Sequence, residues 1–148
     1  MSRAAIRMFS DLLSVSTLTL ATCGSDGTPH AAPVYFAADD GLRLYFFSDP
    51  GSQHSLDLNQ DPRAAAAIYP ECDGWQEIRG LQLHGEAHQV PPGSEWETAW
   101  ALYAARFPFV DELKAAVSRN ALYVFIPHWV RLVDNRRGFG FKQEWTLP

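Results

Sequence analysis

The stretch LRLYFFSDPGSQHSLDLNQDPRAAAAI, residues Leu42–Ile68, decides the fold and the expected binding site of this chain. It predicts a strand over 42–48, then a turn at Asp49-Pro50-Gly51 and a short helix that begins at Ser52. That helix ends at Asp61-Pro62, and a second buried strand follows. A strand that enters a helix through a glycine-containing turn leaves backbone N–H groups unpaired and directed at one spot. Such a spot suits an anion, usually a phosphate.

Three polar residues at this helix start could hold the anion: Ser52, Gln53 and His54. They offer a hydroxyl, an amide and an imidazole, each able to donate a hydrogen bond. The alternative interpretation is that Ser52 only caps the helix and that its two neighbours are solvated surface. These residues alone leave both interpretations open.

The amino-acid composition indicates a single folded domain and argues against some classes of partner. The 148 residues suit a single domain, 1–148, with 47% hydrophobic and 20% charged residues, as in ordinary folded domains. The net charge is -5 and the basic residues do not cluster beyond Arg136-Arg137, which argues against a nucleic-acid partner. Two cysteines, Cys23 and Cys72, are too few for a disulfide framework, so we expect a reducing, cytoplasmic location.

The N-terminal region has some features of a signal peptide, because Arg3 and Arg7 precede an apolar run that ends at Cys23. Asp11 and repeated polar residues interrupt that run, and it alternates from Thr17 onward as a half-buried strand does. We therefore expect a helix over 2–14 followed by the first strand. The run is also too short for a membrane span, so no membrane partner is expected.

Alternation of apolar and polar residues predicts a mainly β protein with antiparallel strands. The six expected strands are 16–23, 30–37, 42–48, 64–69, 76–90 and 121–133, the last bent at Pro127. Gly24–Thr28 and Asp39–Gly41 are the expected hairpin turns, the second with an Asp-Gly pair suited to positive φ. Six such strands with peripheral helices predict a small closed or split six-stranded antiparallel β-barrel.

Two further helices are expected in the second half of the chain. Ser94 and Glu97 have the spacing of a capping box, and four aromatic residues follow at helical spacing: Trp96, Trp100, Tyr103 and Phe107. We interpret this aromatic stripe as core packing. A second short helix is expected over 110–118.

The usual catalytic sequence motifs are missing, including dinucleotide-binding and phosphate-binding glycine loops. His84 and His88 would share one face of a strand, but four residues separate them by roughly 13 Å, too far to bind one metal ion. Neither cysteine has an identifiable histidine or aspartate partner. The sequence therefore predicts no metal site and leaves the catalytic residues unknown.

Four segments, in this order, resemble the FMN-binding split-barrel superfamily of pyridoxamine phosphate oxidase. They are Leu18–Thr22 with Gly27–Val34, Ser52–His54 with Asn59–Ala65, Ile78–Ala87, and Tyr103–Pro108 with Trp129–Asn135. The ending Gly138–Lys142 is similar to a small, mostly uncharacterised branch of that superfamily. The resemblance covers most of the chain.

The resemblance implies a homodimer with FMN in a groove at the subunit interface. Its phosphate would lie at Ser52, Gln53 and His54, where the oxidase pattern is Ser-Arg-Lys, and losing two permanent cations weakens the hold on a phosphate. Around the isoalloxazine ring the resemblance places His30, Ala31, Ala32, Pro33 and Val34 along the ring, Ser48 near it, Gln82 facing the groove, and Lys142 and Trp145 of the second subunit as a cover.

The reaction implied is a flavin redox reaction on an unknown substrate. His30 is the one candidate acid or base, and its alternative interpretation is a surface histidine at a strand end. A second phosphate site for a phosphorylated vitamin is not found, so activity on pyridoxamine phosphate is not expected. Two alternatives stay open. The first is a non-catalytic module that binds either flavin or haem, the haem through His84 or His128. The second is a reductase that uses deazaflavin, although the acidic tail of that cofactor calls for more Lys and Arg than this groove offers.

Overall fold

The structure is a computed structural model that describes residues 1–112, 115 and 118–148. Its helices are α1 (Arg3–Arg7), α2 (Gln53–Gln60) and α3 (Ser94–Arg106). Its strands are β1 (Thr17–Cys23), β2 (Pro29–Tyr35), β3 (Ala37–Ala38), β4 (Leu44–Ser48), β5 (Arg63–Ile68), β6 (Arg79–Gln89), β7 (Ala121–Asp134) and β8 (Lys142–Thr146). Short 3-10 turns lie at Ser10–Ser14, Trp75–Glu77, Pro108–Asp111 and Asn135–Arg137.

The strands form one curled antiparallel sheet in the order β2-β1-β5-β6-β7-β4-β3, with β8 paired to β7. Only Phe36 separates β2 from β3, yet β2 pairs with β1 and β3 pairs with β4. One bent strand therefore joins the two edges of the sheet. With β2 and β3 counted together and β8 counted apart, the barrel has six strands, so the predicted six-stranded antiparallel split barrel is confirmed. The pairing of β8 is an addition that the sequence pattern did not predict.

The longest strand, β7, serves both halves of the barrel. Its first part pairs with β4 from Ala121 onward, and its second part pairs with β8. A register shift between His84 and Gly85 of β6 lies opposite Pro127 of β7, where the sequence predicts a bend. A Cβ at Gly85 would lie 2.0 Å from the carbonyl oxygen of Ile126, so only glycine allows this close approach.

The aromatic stripe of α3 packs against Phe47 of β4. The ring centroids of Trp96, Trp100 and Tyr103 lie 6.3, 5.7 and 5.1 Å from that of Phe47, all at steep angles. Phe107 continues the stripe 4.9 Å from Tyr103. Tyr103 and Phe107 belong to a buried hydrophobic cluster and the two tryptophans pack against this cluster and a second one, so the stripe is confirmed as core packing.

Several local predictions were wrong. The N-terminal helix predicted over 2–14 ends at Arg7 and is followed by a 3-10 turn, because the break turns Phe9 into the core, where it is fully buried. The predicted capping box is not formed, since Gly93 is the N-cap and Ser94 is already the first helical residue. Positive φ occurs at Leu42 (67°), not at Gly41.

The remaining helix prediction, over 110–118, falls partly on residues 113, 114, 116 and 117, which lie outside the described residues. Val110 itself belongs to the 3-10 turn Pro108–Asp111. Within the described part of the chain, none of the helices combines the length and the apolar character needed to cross a bilayer.

Candidate functional site

The loop at which the sequence predicts a phosphate lies between the end of β4 and the start of α2. Ser52 is the N-cap of α2, so the predicted helix start is confirmed to the residue. Its side chain makes no capping hydrogen bond to the helix. The backbone N–H groups of the first turn after Ser52 therefore stay available to an external acceptor.

Ser52 instead belongs to a small cluster of hydroxyl and imidazole groups, which we call the hydroxyl cluster: Ser48, Ser52, His54 and Ser55. Ser52 Oγ lies 2.7 Å from the carbonyl oxygen of Asp49 and 3.3 Å from both Ser48 Oγ and His54 Nε2. Ser48 Oγ also contacts His54 Nε2 directly. The cluster brings together three of the residues expected at the flavin.

His54 is a hydrogen-bonding group in this cluster and not a fixed cation. Its partial burial lowers the pKa of the imidazole below the ordinary value, and the nearby carboxylate of Asp57 offsets this only in part. The imidazole is therefore mainly neutral at pH 7. The loop therefore differs from a Ser-Arg-Lys loop in charge as well as in sequence, because neither residue after Ser52 carries a permanent charge.

Gln53 does not join its neighbours. Its side-chain amide donates to Asp57 Oδ1 at 2.8 Å, one turn further along α2. The three residues predicted to hold one phosphate are thus divided between two clusters. Ser52 and His54 face Ser48, whereas Gln53 faces a carboxylate that sequence reasoning missed.

Asp57 is the centre of the second cluster, the carboxylate cluster: Thr22, His30, Gln53 and Asp57. Its Oδ2 accepts from Thr22 Oγ1 at 2.7 Å and lies 2.7 Å from His30 Nδ1. The residue is only 3% exposed. Burial by itself would raise the pKa of Asp57, but the hydrogen bonds from Thr22, Gln53 and His30 outweigh it and hold the pKa below the ordinary value.

The rest of β2 runs from this cluster along the edge of the sheet. Ala31 and Pro33 are exposed, and Val34 is buried. Ala31 pairs with Ala21 and Pro33 with Thr19 in β1, so these residues border the outer face of the sheet. A shallow groove of about 320 Å³ lies on that face, lined by Thr19, Ala21, Ala65, Ala66, Ala67, Gln82, Leu83 and His84.

The other expected flavin contacts are not gathered at α2 within one chain. Gln82 lines the outer groove and accepts from Arg131 at 3.3 Å. Lys142 and Trp145 lie in β8, beside the 129–133 part of β7, whereas Ser48 pairs with the opposite end of that strand. Trp145 packs against Phe9 of its own chain, with the ring centroids 5.5 Å apart.

The two histidines of β6 have separate environments. His84 stacks on Trp129 with ring centroids 4.4 Å apart, and His88 Nε2 lies 3.1 Å from Glu86 Oε2. Among the residues that the structure describes, no three His, Cys, Asp or Glu side chains are grouped to hold a metal ion.

The chain matches known proteins over most of its length. Residues 4–134 match the sequence family described as pyridoxamine 5'-phosphate oxidase. A UPF0306 protein of Serratia proteamaculans is 30% identical over 129 residues, covering 86% of this chain and 85% of that protein. A pyridoxine/pyridoxamine 5'-phosphate oxidase of Salinibacter ruber is 29% identical over 82 residues, which cover 55% of this chain and 36% of that enzyme.

A solved structure extends the likeness to the whole fold. A haem-binding protein from Mycobacterium smegmatis is 26% identical to this chain and superposes with a TM-score of 0.78. The superposition covers 99% of this chain but only 58% of that protein. What that protein binds is accordingly a property of a longer molecule.

Proposed function

The chain belongs to the pyridoxamine 5'-phosphate oxidase family, and from this premise we propose that it is an FMN-binding flavoprotein with redox activity on a small molecule. The proposal includes a homodimer of single-domain subunits, with the cofactor at the subunit interface, in the reducing cytoplasm. The observation that carries it is the uncapped start of α2 beside the hydroxyl cluster.

The residues at the start of α2 fit a phosphate by hydrogen bonding. Free N–H groups of the first helical turn point at one spot, and the helix dipole favours negative charge there. Ser48, Ser52 and His54 add polar side chains at the same place. The hold is weaker than in a Ser-Arg-Lys loop, because charge-assisted hydrogen bonds are about twice as strong as neutral ones.

When bound, FMN would supply the hydride-transfer chemistry. The chain's own residues would anchor the phosphate at α2 and line the ring with the backbone of His30–Val34. We expect slow reduction by a nicotinamide nucleotide, because that donor needs orientation more than dedicated side chains. We expect no turnover of pyridoxamine phosphate, for which a second phosphate site is needed.

The cofactor site is tested by replacing the residue that faces the expected phosphate. His54→Glu puts a carboxylate into the hydroxyl cluster and should weaken FMN binding by at least about tenfold, since like charges then face each other. Gln60→Glu adds the same charge at the far end of α2 and is the matched control. Calorimetric titration that gives both variants the affinity of the original protein would place the phosphate elsewhere.

The homodimer is tested by light scattering over a dilution series. The proposal requires a second subunit because Gln82 and Lys142 do not meet the α2 site within one chain. A particle of twice 16.5 kDa is expected. A protein that stays at 16.5 kDa at every concentration would contradict the shared site.

A haem-binding module is the second candidate, and the outer groove favours it. His84 is exposed beside a row of alanines, and its ring is held by stacking on Trp129. Histidine is a common axial ligand of haem iron, and the alanines beside His84 would offer an apolar surface to the macrocycle. Haemin titration that produces a Soret band, lost in His84→Ala but kept in His128→Ala, would support this candidate over the flavin. A deazaflavin is less supported, because the α2 start offers no Lys or Arg for its acidic tail.

A further inference from the structure

A polar depression of about 440 Å³ lies beside the carboxylate cluster. It is bounded by the turn that joins β1 to β2, by His30, and by the side of α2 that carries Gln53 and Asp57. It is separate from the hydroxyl cluster, whose members do not line it. The proposed phosphate position and this depression therefore lie on different sides of α2.

The depression has the opposite electrostatic character to a phosphate site. Two carboxylates, Asp26 and Asp57, are among its nine lining residues, and lysine and arginine are not. The backbone N–H of Thr28 lowers the pKa of Asp26, so both carboxyl groups are ionised at neutral pH. Anionic ligands are therefore disfavoured here, and neutral or cationic hydrogen-bond donors are favoured.

The hydrogen bond between Asp57 and His30 determines which ring nitrogen faces a ligand. An ionised carboxylate can only accept hydrogen bonds, so His30 Nδ1 must carry the proton that Asp57 Oδ2 receives at 2.7 Å. In the neutral ring, Nε2 is then the acceptor. Asp57 cannot easily turn away, because Thr22 and Gln53 hold its two oxygens at 2.7 and 2.8 Å.

We propose that Asp57 is a positioning residue which fixes His30 in the Nδ1–H tautomer, and that His30 Nε2 binds an N–H or O–H donor group of a neutral or cationic substrate. The inference rests on the proposed function, for which it names the substrate side of the site. Primary amides, amines and hydroxyl-bearing molecules belong to this class. Carboxylates and phosphates are disfavoured in the depression.

The tautomer can be measured directly by nitrogen NMR of 15N-histidine-labelled protein without FMN, in a pH series that extends until the imidazole rings are neutral. We expect His30 to show a protonated Nδ1 and an unprotonated Nε2. In Asp57→Asn the preference should be reduced or lost, because an amide can either donate or accept. An Nε2–H tautomer in the original protein would overturn the proposal, whether or not the Asp57 variant folds.

The ligand class is tested with nicotinamide and nicotinate, which have the same ring and differ in one group. Nicotinamide should shift the His30 resonances and bind at least about tenfold more tightly than nicotinate, which carries a like charge toward two carboxylates. In His30→Gln the side-chain amide can still donate a hydrogen bond to Asp57, but the Nε2 acceptor is lost, so nicotinamide binding should weaken. Equal binding of both probes, or no shift of His30 with nicotinamide, would overturn the proposal.

These measurements can fail independently of the flavin site. The tautomer and the probe titrations are read in cofactor-free protein, whereas FMN loading is read by absorbance and by the His54→Glu variant. A protein with the expected tautomer that takes up no FMN would refute the proposed function alone. A protein that loads FMN but shows the opposite tautomer would refute only the role of His30 and Asp57.

Discussion

The two sides of α2 differ in how their hydrogen-bonding capacity is used. On one side the hydroxyl cluster leaves the first-turn N–H groups open. On the other side the carboxylate of Asp57 already receives hydrogen bonds from three side chains. Gln53 lies four residues before Asp57, the spacing at which helical side chains meet, and its amide pairs with that carboxylate instead of joining Ser52 and His54. A run of adjacent polar residues at a helix start is therefore not one binding patch.

The largest expected effect comes from removing the carboxyl group of Asp57, the centre of the carboxylate cluster. Asp57→Ala removes the shared acceptor of Thr22, Gln53 and His30 and leaves the buried Thr22 hydroxyl without a partner. It should lower the free energy of unfolding by about 2–4 kcal/mol. Urea unfolding measures this change. Asp61→Ala removes a carboxylate from an exposed pair with Arg63 and should cost less than about 1 kcal/mol. Equal losses in the two variants would mean that the carboxylate cluster adds no particular stability.

The second prediction compares the two sides of α2 by restoring, one at a time, the Arg and the Lys of the Ser-Arg-Lys pattern. His54→Lys places a cation in the hydroxyl cluster and should tighten FMN binding by about tenfold, the usual size of one good charge-assisted contact. Gln53→Arg should gain much less, because its guanidinium would pair with Asp57 on the other side of the helix. Calorimetric titration compares the two. A larger gain from Gln53→Arg would show that Gln53 faces the phosphate after all.

A smaller effect is expected from removing one of the three donors to Asp57. Thr22→Val keeps the shape of the side chain, loses one hydrogen bond to Oδ2, and should lower the free energy of unfolding by about 1 kcal/mol. FMN affinity should be unchanged, since the hydroxyl cluster is untouched. Urea unfolding and FMN titration of the same preparation check both statements. A loss of FMN affinity without a loss of stability would contradict the division between the two sides.

The smallest expected effect is a difference in acid stability. The pKa of Asp57 is lowered in the folded protein from the ordinary 3.8. Its contribution is therefore present above that value and is lost as the pH falls through the folded pKa. Asp57→Asn cannot lose this contribution, so its stability should decline less steeply on acidification below pH 3.8. Urea unfolding at a series of acidic pH values gives the two slopes, and parallel slopes would contradict the lowered pKa.

Much of the fold could be predicted from the sequence because it depends on local patterns. The alternation in 16–23 and 76–90 and the turn residues near 24–28 define strands without reference to distant partners. The junction at Phe36 could not be predicted in this way, because a continuous apolar run does not show that its two ends pair with different neighbours. The positive φ at Leu42 was missed for a similar reason. It is set by Asp39, which accepts hydrogen bonds from the N–H groups of Gly41 and Arg43.

Of the candidate site, the start of α2 could be predicted from the sequence, whereas the carboxylate cluster could not. Ser52 at the start of α2 follows from the turn before it, and the structure confirms that helix start. Asp57 was overlooked because its partners Thr22 and His30 lie 35 and 27 residues away, on strands whose placement beside α2 is a tertiary event. One local signal was available. Gln53 and Asp57 are four residues apart, the spacing at which helical side chains interact.

The position of α2 couples the stability of the folded barrel to the binding of a ligand at this helix. The first turn of α2 contacts the end of β4, which lies next to the β3 edge of the sheet. Asp57 is hydrogen-bonded to β1 and β2 at the other edge, so the helix reaches both edges that the bent β2–β3 strand joins. A ligand that needs both sides of α2 can bind only when those edges are joined. By thermodynamic linkage, such a ligand at a concentration of a hundred times its Kd raises the free energy of unfolding by about 2.7 kcal/mol. Thermal-shift screening can therefore search for the natural substrate without any assay of turnover.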